Sequence, residues 1–152
     1  MKKTSCPIIE KIHARQILDS RGFPTIEVEV CASGVIGKAA VPSGASTGEF
    51  EALELRDLDK TRFHGKEVHT AINNVINIFQ PQLINKKSDN QDAIDSLLIE
   101  IDGTPNKSNY GANAMLGISM ACAVVSAKFY NQPLYLYLNK DSFRMPVPMI
   151  NV

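Results

Sequence analysis

Strict alternation of apolar and polar side chains after Pro24 constrains the fold more than any other feature of the sequence. The two alternating sets are Ile26, Val28 and Val30 against Glu27, Glu29 and Cys31. A period of two is typical of a strand with one buried face. Residues 12–18 and 35–41 repeat the alternation, and turn sequences at 19–22 and 33–34 separate the three segments. The sequence therefore predicts a three-stranded antiparallel meander.

Helical spacing replaces strand spacing after Gly65. Apolar residues recur every three to four positions from 68 to 79, and we expect Pro81 to interrupt this helix. The segment before it, residues 49–60, is rich in acidic side chains. It has two interpretations, a metal-binding acidic cluster or a solvated, partly helical surface with local ion pairs, and the pattern favours the second.

Two further helices have clear end signals. Ser88 and Gln91 form a predicted capping box, and Gly103 stands where a C-terminal capping glycine belongs. A longer helix is predicted over residues 111–130, and a short one over 134–138 after a proline. The long helix carries small residues that offer a flat face for close packing: Ala114, Gly117 and Ala121. Together these elements predict an α+β domain, with the meander followed by three to four helices and the long helix at its centre.

The amino-acid composition limits the kinds of partner to expect. The chain has 152 residues, 44% of them hydrophobic, and 16 basic side chains balance 16 acidic ones, so we expect one main core and no generic attraction to nucleic acid. Residues 114–127 are too short for a membrane span, and the first residues lack the apolar core of a secretory signal. The cysteines have no metal or redox spacing: Cys6, Cys31 and Cys122. We expect a cytoplasmic protein.

The segment 41–48 is the best candidate for ligand binding, because it has almost no side-chain bulk after its proline. Its sequence is Val-Pro-Ser-Gly-Ala-Ser-Thr-Gly. Backbone groups and hydroxyls in such a segment can approach a phosphate, a carboxylate or a metal ion. A plain surface turn after a strand is the alternative, and composition alone favours it slightly.

Gly44 to Gly48 also matches G-x-S-x-G, the nucleophile elbow of serine hydrolases, with Ser46 as nucleophile. That motif requires a strand-to-helix elbow in a mostly parallel sheet, whereas this one follows a meander. A hydrolase is therefore a distant alternative. A zinc site is not predicted either, because the later histidines, His64 and His69, are five residues apart, a spacing that does not suit a zinc pair on one helical face.

Several motifs together resemble the N-terminal domain of the enolase family, in the family's order and spacing and over essentially the whole chain. The segments that carry the resemblance are Ala-Arg-Gln-Ile-Leu-Asp-Ser-Arg-Gly-Phe-Pro-Thr-Ile-Glu-Val (14–28), Val-Pro-Ser-Gly-Ala-Ser-Thr-Gly (41–48), Glu-Ala-Leu-Glu-Leu-Arg-Asp (51–57), Asp-Gly-Thr-Pro-Asn-Lys-Ser (102–108) and Gly-Ala-Asn-Ala-Met-Leu-Gly-Ile-Ser (111–119).

This resemblance implies a reversible dehydration of 2-phosphoglycerate to phosphoenolpyruvate with two Mg²⁺ ions. It implies that the catalytic lysine, the acid and the ligands of the first Mg²⁺ lie in a C-terminal barrel. The N-terminal domain would supply a mobile substrate loop, Ser43, Gly44, Ala45, Ser46 and Thr47, in which Ser46 ligates the second Mg²⁺. Hard oxygen ligands of this kind suit Mg²⁺.

The resemblance also implies that Arg15 and Glu27 form ion pairs across a homodimer, or higher homo-oligomer, with the partner's barrel; exposed charges on the sheet are the alternative. We expect residues 1–144 to form the capping domain and 145–152 to be a linker entering the first barrel strand, so that the 152-residue chain alone is catalytically inactive. The alternative function is a non-catalytic binding module.

Overall fold

The computed structural model describes residues 6–44, 48–139 and 147. Its sheet has three antiparallel strands in the order β1-β2-β3: β1 (Ile9–Leu18), β2 (Pro24–Ala32) and β3 (Val35–Ala40). Ser33 and Gly34 join β2 to β3 with φ values of 46° and 75°. Two successive left-handed residues match the twist of a two-residue hairpin. The predicted meander is confirmed.

Helices follow the sheet, so the α+β class is also confirmed. A short 3₁₀ turn, Phe63–Gly65, precedes the first helical stretch. The helical segments are α1 (His69–Asn74), a π-helical turn (Val75–Phe79), α2 (Gln80–Leu83), α3 (Gln91–Asp102), α4 (Ala112–Phe129) and α5 (Leu134–Leu138).

Pro81 does not interrupt the first helix as predicted. The backbone stays helical from α1 through the π-helical turn into α2, which ends at Leu83. The amide of Gln80 bonds to the Val75 carbonyl, one residue further back than in an α-helix. This wider turn lies directly before the proline, which has no amide hydrogen and whose ring crowds the preceding turn of a regular α-helix.

The predicted capping box of α3 is wrong at Ser88. The N-cap is Asn90, whose side chain accepts a hydrogen bond from the Ala93 amide. Ser88 is instead fully buried, with its Oγ 2.8 Å from Ser126 Oγ. At the other end Gly103 takes the left-handed conformation, φ 68°, as predicted.

The segment 49–60 contains no helix, contrary to the prediction of a partly helical surface. Its backbone bonds across to other segments. The Leu53 amide donates to the Asn106 carbonyl at 2.7 Å, and the Leu53 carbonyl accepts from the Ala112 amide at 2.8 Å. These backbone groups need no helix to satisfy their hydrogen bonds, because they find partners in the loop at Asn106 and at the start of α4.

The core lies between the sheet and α4, and Gly37 of β3 and Gly117 of α4 allow the two to approach closely. A Cβ placed on Gly117 of α4 would lie 2.5 Å from Val28 Cγ2 of β2. The small face predicted for this helix is therefore its packing surface. α4 is long and apolar enough to cross a membrane, but 67% of it is buried against the rest of the domain, which is typical of a core helix.

Candidate functional site

The candidate loop leaves the sheet along a path that β2 holds in place. The Val41 amide donates to the Ile26 carbonyl at 2.9 Å, and the Thr25 hydroxyl donates to the Val41 carbonyl at 2.7 Å. The described part of the loop is residues 41–44 and 48. Ala45, Ser46 and Thr47 lie outside the described residues, so the roles predicted for them stay predictions.

Ser43 lies in a compact polar network at the start of this loop. Its hydroxyl donates to Glu54 Oε2 at 3.2 Å and accepts from Arg56 Nη2 at 3.1 Å. The same Arg56 nitrogen donates to Glu54 Oε1 at 2.6 Å. The Ser43 carbonyl accepts from Arg21 Nη2 at 2.9 Å. Ser43 is thus held at both its side chain and its backbone.

A cleft of about 730 Å³ opens beside this network. Small residues of the loop form one wall of the cleft. Residues 51–57, called the extended segment below, form another wall, and the start of α4 forms a third. The lining residues are Val41, Pro42, Gly44, Gly48, Glu51, Ala52, Leu53, Glu54, Arg56, Asn106, Ala112, Asn113 and Leu116. The lining is mainly apolar and carries charged side chains of both signs, Glu51, Glu54 and Arg56, a combination that is typical of small-ligand sites.

Asn113 connects the wall of the cleft to α4. Its side chain donates to the Leu55 carbonyl at 3.0 Å and accepts from the Leu55 amide at 3.2 Å. One buried amide therefore mimics a strand partner for the extended segment. Gly111 precedes it with φ 93°, and a Cβ at Gly111 would lie 2.6 Å from Leu55 Cβ. A side chain at 111 would push this wall away.

Asp102 organises the loop behind the cleft. It is 1% exposed, and its carboxylate accepts from the Thr104 amide, the Thr104 hydroxyl and the Tyr110 amide. Burial raises the pKa of Asp102, but these hydrogen bonds more than offset it, so the pKa lies below its ordinary value. The carboxylate stays ionised and holds the segment that supplies Asn106.

Asp57 performs a similar task at the far end of the extended segment. Its carboxylate accepts from the His69 amide at 2.8 Å and the Thr70 amide at 2.9 Å, at the first turn of α1. Burial raises the pKa of Asp57, and the bonds from Thr70 and His69 outweigh that effect and lower it. The segment 51–57 is therefore tied to α1 at one end and to α4 at the other.

Among the described residues, which leave out Ser46, the other candidates from the sequence do not form a metal-ligand set. Within the described ranges no three His, Cys, Asp or Glu side chains come together as a metal ligand set. The motif 44–48 follows an antiparallel strand, and the first helical residues after Gly48 are Phe63–Gly65. A nucleophile elbow would require a helix directly after it. His69 lies 3.7 Å from Glu67, which also pairs with Arg62.

Arg15 and Glu27 meet within one chain, on the face of the sheet opposite α4. Arg15 Nε donates to Glu27 Oε1 at 2.6 Å, and its Nη2 donates to Glu29 Oε2 at 2.9 Å. The hydrogen bond that Arg15 donates to Glu27 is the main reason why the pKa of Arg15 is raised. Lys38 lowers the pKa of Glu29, with Arg15 adding to the effect. The predicted pair thus belongs to an intrachain network, and its role between chains stays a prediction.

Sequence reasoning did not assign roles to Arg56, Asp102 or Asn113, although all three lie in the motifs that carry the resemblance. The sequence did contain a sign of their importance, because each is a polar residue next to an apolar residue or close to a glycine. Their partners are Ser43, Thr104 and Leu55, at separations of 13, 2 and 58 residues. Two of these three pairings join distant segments, which local patterns do not predict.

Fold and site together define a small α+β domain whose sheet leads into a glycine- and hydroxyl-rich loop beside a cleft. Comparison with known proteins identifies the family to which this domain belongs. The family model for "Enolase, N-terminal domain" matches residues 9–138. The chain is 57% identical over 145 residues to the enolase of Methanosarcina barkeri, and 56% identical to those of Methanosarcina acetivorans and Methanosarcina mazei. Each match covers 95% of this chain and 34% of the relative.

The chain therefore belongs to the enolase N-terminal domain family. It spans about a third of the length of the curated relatives it matches.

Proposed function

We propose that this chain is the N-terminal domain of an enzyme that reversibly dehydrates 2-phosphoglycerate to phosphoenolpyruvate in glycolysis and gluconeogenesis, in the cytoplasm. The observation that carries this proposal is the match to relatives named enolase, at 57% identity over 95% of the chain. In this proposal the catalytic groups lie in a C-terminal barrel. Residues 1–144 form the capping domain, and residues 145–152 lead into the barrel.

The domain's own contribution is the substrate loop made of Ser43, Gly44, Ala45, Ser46 and Thr47. Ser46 would hold the second of two Mg²⁺ ions, which when bound stabilises negative charge on the substrate. Because the described residues do not form a complete ligand set, the remaining ligands in this proposal come from the substrate and from outside the domain. The cleft beside Ser43 supports this arrangement, since it gives a small ligand room next to the loop.

Arg15 and Glu27 would lie at the interface of a homodimer or higher homo-oligomer. Their side chains are 40% and 24% exposed, so both can still reach a partner while they hold each other. An exposed ion pair contributes little to the stability of a single chain. We therefore expect these two residues to contribute more to assembly, where an interface would bury them, than to the stability of the domain.

The test compares the 152-residue chain with the full-length protein in an absorbance assay for phosphoenolpyruvate with Mg²⁺. We expect turnover by the full-length protein and none by the chain alone. Turnover by the isolated chain would contradict the location of the catalytic groups, and a full-length protein without turnover would favour the non-catalytic binding module.

A further inference from the structure

We propose that Arg56 is a positioning residue for the substrate loop: it fixes Ser43, the loop's first residue, and so sets the path on which the chain enters Gly44. The inference rests on the proposed function, because it assumes that this loop meets the substrate. Arg56 itself need not touch the substrate.

The guanidinium of Arg56 is anchored before it reaches the loop. Its Nη1 donates to the Pro24 carbonyl at 2.6 Å and to the Lys66 carbonyl at 2.5 Å. These carbonyls belong to the start of β2 and to the segment before α1. A planar group bonded to two separate segments has little freedom to rotate. The side chain is also only 14% exposed.

The other end of the guanidinium reaches the loop. Nη2 donates to Ser43 Oγ at 3.1 Å and to Glu54 Oε1 at 2.6 Å, while the Ser43 hydroxyl donates to Glu54 Oε2 at 3.2 Å. The three side chains form a closed ring of hydrogen bonds. Because the carboxylate and the guanidinium are both charged, each bond in the ring is charge-assisted.

Arg21 gives Ser43 a second contact, at the backbone and from a more exposed side chain. Its Nη2 donates to the Ser43 carbonyl at 2.9 Å, while its side chain is 41% exposed and pairs with Asp19 at 3.3 Å. Exposed pairs are screened by water and contribute little. The less exposed Arg56 is therefore the contact that determines where Ser43 lies.

The test uses the full-length protein with Arg56→Lys, Ser43→Ala and the double variant. Arg56→Lys keeps the charge and loses the planar fork. Ser43→Ala removes only the loop side of the ring and leaves the Arg56 anchors intact. The control is Arg62→Lys, because Arg62 pairs with Glu67 at 2.8 Å and does not line the cleft.

We expect each single variant to raise the KM for 2-phosphoglycerate about fivefold, the effect of one lost hydrogen bond, with a smaller change in kcat. Amide hydrogen exchange of the peptide spanning residues 42–49 should become faster by a similar factor. The double variant should be no worse than Arg56→Lys alone, because both act on one ring. Ser43→Ala should lower the free energy of unfolding by no more than about 1 kcal/mol, which is the fivefold change expressed as a free energy.

Wild-type KM and wild-type exchange in both single variants would overturn the role of Arg56. A loss of unfolding free energy well above about 1 kcal/mol in Ser43→Ala, with faster exchange throughout the domain and not only in residues 42–49, would overturn it too, since that indicates a general structural role. If the unmodified full-length protein has no turnover, the proposed function fails, whereas the exchange measurement still decides whether Arg56 positions Ser43.

Discussion

Gly37 of β3 lies against the backbone of α4 at Val125: a Cβ on Gly37 would be 2.4 Å from the Val125 nitrogen and 2.7 Å from the Ala121 carbonyl oxygen. Both are backbone atoms, which cannot rotate away as the end of a flexible side chain can. The sheet and the helix therefore touch directly at this point, and the approach depends on the missing side chain.

Gly37→Ala should destabilise the domain by about 3 kcal/mol, at the upper end of the usual range for overpacking, because the added methyl group pushes α4 off the sheet. Urea unfolding followed by circular dichroism measures the effect. Ala40→Val is the control, since Ala40 is exposed on the same strand; it should change stability by less than about 0.5 kcal/mol. A Gly37→Ala variant as stable as the wild type would contradict the packing described.

Asn90→Ala should cost about 1 kcal/mol of stability, because the helix α3 would lose the cap that bonds the Ala93 amide. Asn90→Ser keeps an oxygen that can accept this bond and should remain close to the wild type. The measurement is again the free energy of unfolding. If the alanine and serine variants are equally stable, Asn90 does not act as the cap.

Asp102→Asn should cost about 2 kcal/mol at pH 7, because the amide oxygen can replace Oδ1, which accepts from Thr104, but the amide nitrogen cannot accept the bond that Oδ2 receives from the Tyr110 amide. The exposed Glu100→Gln serves as the control and should have almost no effect.

The cost of Asp102→Asn should also depend on pH. The pKa of Asp102 is lower in the folded than in the unfolded chain, so its contribution is complete above about pH 4 and is lost as the pH falls through the folded value. The difference in unfolding free energy between wild type and variant should therefore narrow at pH 3. A difference that stays constant from pH 7 to pH 3 would show that the ionised carboxylate is not the group that matters.

Arg15→Ala should shift the full-length protein towards the monomer in analytical ultracentrifugation, if the pair with Glu27 lies at the proposed interface. The stability of the domain should change little, because the pair is exposed within one chain. Lys38→Ala is the control, since Lys38 belongs to the same network through Glu29 at 2.9 Å. An unchanged oligomeric state for Arg15→Ala would remove this residue from the interface.

The sheet and the central helix were predictable because their signals are local. The alternation around Val28 reports burial on one face of β2, and the small residues around Gly117 report a close contact. In both cases the residue pattern and the packing have the same cause.

Ser88 and Pro81 show where local signals fail. Ser88 has the right spacing for a cap, but its hydroxyl is buried and hydrogen-bonded to the distant Ser126. Asn90 caps the helix instead. Pro81 lies in a helix because a π-helical turn accommodates it. The candidate site had the same limit, since the ring of Arg56, Glu54 and Ser43 depends on how the extended segment crosses the loop.

The rate of phosphoenolpyruvate formation as a function of Mg²⁺ concentration, measured for the full-length protein and its Ser46→Ala variant, tests the central claim most directly. Ser96→Ala, exposed on α3, is the matched control and should behave as the wild type. Because even residues that only support a metal ligand cost about tenfold when changed, Ser46→Ala should lower kcat or raise the Mg²⁺ requirement at least that much. Unchanged kcat and an unchanged Mg²⁺ requirement in Ser46→Ala would contradict the claim that this domain supplies a ligand to the second metal ion.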